Sequence, residues 1–89
     1  MFFGKMHDWK WWEDVEVAVA TINRKVDPKS IKKLAAKLDI AESKICARIN
    51  NYTKLIQGAY PDWHYSKQEK EVFNWVMAKR KTVNITTLL

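Results

Sequence analysis

Two short apolar stripes, with only six residues between them, constrain this chain more than any other feature. Ile31, Leu34, Ala35 and Leu38 fall at i, i+3, i+4 and i+7, which is one face of an α-helix. Ile45, Ile49, Tyr52 and Ile56 repeat the helical pattern. The link Leu38-Asp39-Ile40-Ala41-Glu42 is too short for a strand and has the length of a tight helix–helix connection. The spacing therefore predicts helices over 29–38 and 42–56. Between Arg24 and Lys54 the chain carries nine Lys and Arg against Asp27, Asp39 and Glu42. That balance of +6 equals the net charge of all 89 residues, so the basic character sits on this unit.

The flanking segments extend the helical reading. Residues 1–8 form an N-terminal arm without a clear period, in which Phe2 and Phe3 are available to the domain or to a partner. Asp8 is a candidate N-cap for a first helix over 9–23. Trp12, Val15, Val19 and Ile22 make its stripe, with Trp12 expected in the core and Trp9 or Trp11 partly exposed. Glu13, Asp14 and Glu16 suit the positive end of that helix. Asp27-Pro28 opens the second helix, with Ser30 as a competing cap, and Gly58 stands where the third should stop. In the loop that follows, Tyr60, Trp63 and Tyr65 are expected to pin the chain to the core. Ser66-Lys67-Gln68-Glu69 is a capping box that starts a fourth helix over 67–80, buried through Val72, Phe73, Val76 and Met77, with Trp75 to one side. The helical domain spans 9–81. The uncharged, β-prone residues 82–89 are expected to form a flexible tail or to pair with another chain. The fold class expected is all-α: a small tri-helical helix–turn–helix core with an added C-terminal helix.

Composition narrows the function. A single cysteine, Cys46, excludes an internal disulfide, and its place beside the third-helix stripe predicts a buried, inert thiol. His7 and His64 have no ligand spacing around them, so neither a metal site nor a cofactor is expected. No Ser/His/Asp order, glycine-rich phosphate loop or paired-carboxylate motif is present, and the chain is not read as an enzyme. There is no apolar run long enough for a membrane span and no signal-peptide pattern, which makes a cytoplasmic protein the expectation, nucleoid-associated if bacterial or phage. A pI near 9.6 favours an acidic partner, most often nucleic acid.

Ala35, Asp39, Ile40 and Ile45 occupy the small, turn and apolar places of the helix-turn-helix pattern, and the chain resembles that family of DNA-binding domains. It departs at the turn, where the family prefers glycine and this chain has Asp39. Trp9 followed by Glu13-Asp14, with Ile45, Arg48 and Ile49 on the third helix, looks like the Myb/SANT-like variety over residues 9–56, although Ile49 stands where an aromatic is common. RINNYTKLIQG before a capped helix is also similar to the DNA-binding segment preceding some bacterial HNH nucleases; no nuclease motif accompanies it. The resemblance implies that the third helix reads DNA.

The residues on that helix suit the role. With the apolar stripe inward, Ser43, Ala47, Asn50 and Lys54 lie opposite, with Lys44 and Asn51 on the flank. Asn bonds an adenine edge bidentately, Ser donates or accepts, and Ala touches a thymine methyl, so Ser43, Ala47, Asn50 and Asn51 are the candidate base contacts. Lys29, Lys32, Lys33, Lys37, Lys44, Arg48 and Lys54 are the candidate phosphate contacts, against the plainer reading of a solvated charged face. Trp9, Trp11 and Trp12 are read as packing rather than as platforms for unpaired bases. The expected partner is double-stranded DNA, and a regulator of transcription is the expected role. A domain this small covers few base pairs, so specific binding calls for a homodimer or a larger protein partner. The competing function is a SANT-like adaptor or inhibitor, of the kind phages encode, that binds protein and reads no DNA.

Overall fold

The turn that the sequence pattern singled out is built on Asp39. In a computed structural model that describes residues 8–59, 61 and 64–82, the last three as backbone, Asp39 takes the left-handed conformation at φ 56°, ψ 48°. The Ile40 N–H then donates back to the Ala35 carbonyl at 3.1 Å. This reversal joins α2 (Pro28–Leu38) to α3 (Glu42–Gln57). Ahead of them stands α1 (Trp11–Ile22), and after them α4 (Lys67–Thr82). The chain is all-α, with no strand among the described residues. A non-glycine residue in this conformation costs about 1–2 kcal/mol, of which glycine's greater chain entropy would give back about 0.5–1. Asp39→Gly is therefore expected to stabilise the fold by about 0.5–1 kcal/mol, a rise of roughly 2–8 °C in thermal midpoint for a domain of this size. An unchanged or lower midpoint in a thermal melt would show that the aspartate side chain itself holds the turn.

Local chemistry sets the other boundaries. Asp27 caps α2, accepting from the Ser30 N–H at 3.3 Å and the Ser30 hydroxyl at 2.7 Å; these bonds hold its carboxyl below the usual carboxylate value. Pro28 follows at the position where a missing N–H costs nothing. Gly58 at φ 64° ends α3, with Ala59 N–H donating to the Lys54 carbonyl. The end of α1 closes the same way without a glycine: Arg24 is at φ 60°, and the Lys25 N–H reaches the Ala20 carbonyl at 2.8 Å. The Ser66/Glu69 capping box forms as the sequence indicates, at 2.8 and 3.1 Å.

α3 meets all three other helices, and α1 lies against both α3 and α4. Val17 and Ala18 of α1, Ile45 and Tyr52 of α3, and Val72 and Val76 of α4 are fully buried, joined by Leu38 and Ile40 from the turn. Each of the larger apolar side chains contributes roughly 1.5–3 kcal/mol by leaving water.

Several side chains are not where the apolar pattern puts them. α1 begins at Trp11, capped at Lys10, whose N–H donates to the Glu13 carboxylate at 2.9 Å, so Asp8 is not the cap. The face of α1 that is most buried runs through Asp14, Val17, Ala18 and Thr21, and Trp12 is 52% exposed. On α3 the inward arc leans toward Arg48 and Leu55 rather than toward the opposite flank. Cys46 is consequently exposed, Leu55 packs on the core, and Ile56 is 49% exposed. The loop expectation holds for Tyr65, which is buried. Tyr60 and Trp63, the arm apart from Asp8 and the tail after Thr82 lie outside the described residues.

Candidate functional site

α3 presents two different faces. The outer one carries Ser43, Cys46, Ala47, Asn50 and Gln57, all exposed, with Lys44 exposed beside them and Lys54 half-buried. Three of the four candidate base contacts, Ser43, Ala47 and Asn50, thus share one open surface of small or amide groups. On α2, Lys29, Lys32 and Lys33 are exposed and have no ion-pair partner among the described residues. Lys37 is exposed but bonded to Glu16 of α1 at 2.8 Å.

Arg48 and Asn51 are placed elsewhere. Both lie on the flank of α3 that meets α1 and α4, and both are taken up by buried carboxylates. The Arg48 guanidinium grips Asp14 with two bonds, Nε to Oδ1 at 2.7 Å and Nη2 to Oδ2 at 2.9 Å. Its remaining nitrogen is 3.4 Å from Glu69, and its plane lies over the Trp9 ring at 4.8 Å. Asn51 donates to Glu69 Oε2 at 2.8 Å. Neither side chain points outward with Ser43 and Asn50, which corrects their assignment as DNA contacts. Helical spacing separates inward from outward only coarsely, and it places polar side chains on a flank outside, where these two turn inward.

The group that organises this flank is Asp14. It is fully buried and also accepts from the Tyr52 hydroxyl at 2.9 Å and from Gln68 at 2.6 Å. Gln68 reaches the Trp9 carbonyl as well, at 2.6 Å. Glu69 caps α4 with one oxygen and binds α3 with the other. A single polar knot therefore ties α1, α3 and α4 together, with every carboxylate oxygen satisfied by donors. The capping-box spacing could point to Glu69; nothing in the sequence separates Asp14 from an ordinary acidic residue in a helix's first turn.

Burial, the Asp14 charge and the hydrogen bond to it hold the Tyr52 hydroxyl well above its ordinary pKa of 10.0. The folded state keeps this proton while the unfolded chain releases it near its ordinary value. The contribution of Tyr52 to stability is thus complete below about pH 10 and declines as pH rises further. At neutral pH, Tyr52→Phe should cost about 1.5–3 kcal/mol, the worth of a hydrogen bond to a charged group. In urea titrations this deficit relative to wild type should narrow above pH 10; a constant deficit would mean that the hydroxyl ionises in the folded protein.

No helix among the described residues is long and apolar enough to cross a membrane. Trp11 and Trp75 meet edge to face at 6.3 Å, 41% and 42% exposed, next to the more exposed Trp12. Comparison of the chain with protein-family models, with curated proteins and with solved structures returns no match.

Proposed function

We propose that this protein binds double-stranded DNA, with the outer face of α3 entering the major groove and α2 lying along the backbone, in the service of regulating transcription. The observation that carries the reading is that outer face: Ser43, Ala47 and Asn50 are exposed together, with neither an acidic nor an aromatic side chain among them. Small and amide groups permit close approach to base edges. Lys29, Lys32 and Lys33 of α2 and Lys44 of α3 are exposed and supply positive charge, Lys37 is exposed but bonded to Glu16, and Lys54 is half-buried. Arg48 and Asn51 have no part in the contact surface; they hold α3 at its angle to α1 and α4. Glu42, exposed in the first turn of α3, and Asp39, exposed in the turn before it, are unfavourable charges nearby.

The test is binding to a random duplex across a salt series. Wild type should lose affinity steeply with salt, and Lys32→Glu with Lys33→Glu should flatten the log–log slope by about 2, one counterion per lost contact. An unchanged slope would make these lysines ordinary surface. No binding at low salt would remove the reading and leave the second one, a protein-binding domain. That alternative draws on the exposed pair of Trp11 and Trp75 and on the exposed Trp12, since open tryptophans suit a protein interface.

A further inference from the structure

α1 and α2 do not close on each other. Val19 and Ala20 on α1 and Leu34 on α2 line a groove of about 360 Å³ between them, bounded at one end by the turn after α1. That volume is in the range of small-molecule sites. Its polar lining is lopsided. Lys25, Lys33 and Lys37 face one acid, Glu16, and Glu16 is already matched by Lys37 at 2.8 Å. Lys25 and Lys33 are left with no carboxylate partner among the described residues. Asn23 also lines the groove, and its amide nitrogen is buried with no hydrogen-bond acceptor. A buried donor without a partner is rare in a folded protein and calls for an acceptor.

We propose that this groove is a binding site for a small organic anion, a carboxylate or phosphate carried on a flat apolar body. The apolar body covers Val19, Ala20 and Leu34. The anionic group pairs with Lys25 and Lys33, and one of its oxygens accepts from the Asn23 amide. Apolar lining, surplus positive charge and a lone buried donor are each complementary to one part of such a ligand. The groove shares Lys33 with the proposed backbone contacts to DNA but lies apart from the outer face of α3, so its ligand is tested without DNA.

The full chain, labelled with ¹⁵N and without DNA, is titrated with 2-naphthoate, with the neutral 2-naphthalenemethanol and with inorganic phosphate. Naphthoate should produce saturable amide shifts centred on Val19, Ala20, Asn23 and Leu34. The alcohol and phosphate should each bind at least about tenfold more weakly, because each lacks one half of the complementarity. Lys33→Gln, an exposed position whose change leaves the fold intact, should weaken naphthoate by about the same factor. Ala20→Phe, which fills the groove, should abolish it. The proposal is overturned if naphthoate leaves these amides unmoved, if the alcohol or phosphate matches it, or if Lys33→Gln binds like wild type.

Discussion

Replacing Asp14 with alanine should destabilise the protein by about 3–5 kcal/mol, because it takes both short bonds from the largely buried Arg48 guanidinium and leaves it only the 3.4 Å contact with Glu69. Domains of this length hold roughly 4–13 kcal/mol in all, so the variant should be marginally folded at room temperature. The loss is larger than for an exposed ion pair for a specific reason. Asp14 is fully buried and accepts four bonds, two from Arg48 and one each from Tyr52 and Gln68. Its removal strands donors on two other helices at once. Adding Arg48→Met should recover much of the loss, since an apolar replacement of a buried pair is often close to neutral. Urea denaturation of the single and double variants measures both values. A loss under about 1 kcal/mol for Asp14→Ala would show that Arg48 escapes to solvent and that the knot contributes little.

If α3 enters the groove as proposed, Ala47→Glu should abolish most DNA affinity with little effect on stability. Ala47 is exposed at the middle of the α3 outer face, so the change should stay within about 0.5 kcal/mol in a thermal melt. On DNA, the new carboxylate would meet the negative groove at close range, and like-charge juxtaposition costs several kcal/mol, about a hundredfold or more in affinity. The loss should appear on every duplex, because it arises from repulsion rather than from a missing base contact. Unaltered binding by a folded Ala47→Glu variant would mean that α3 does not enter the groove.

Both expectations depend on how α3 is oriented, and that orientation was only half legible from the residues. The helical repeat placed Ile45, Ile49 and Tyr52 inward and Ser43, Ala47 and Asn50 outward, and the structure has them so. It misplaced Arg48, Asn51, Cys46 and Ile56, all of which lie toward the borders of the buried arc or at the helix end. At a border, a rotation of a few tens of degrees decides burial, and that rotation is set by the neighbouring helices. Trp12 failed for a related reason: the Trp12, Val15, Val19 and Ile22 stripe placed it in the core, while the space beneath α1 is filled by Val17, Ala18 and Asp14.

By itself the sequence determined the four elements and most of their ends, the start of α1 excepted. Asp27-Pro28, the left-handed Asp39 and Gly58, and the Ser66/Glu69 box act within one turn of chain, and local chemistry of that kind needs no tertiary partner. It also determined that the positive charge would gather on α2 and α3. What only the tertiary structure decided is the fate of the polar groups that cross between helices. Asp14 is buried because Arg48, thirty-four residues later, and Tyr52 and Gln68, later still, arrive to satisfy it. A lone carboxylate at that depth would be too costly to keep, and the partners that make it tolerable are assembled only when α1, α3 and α4 meet.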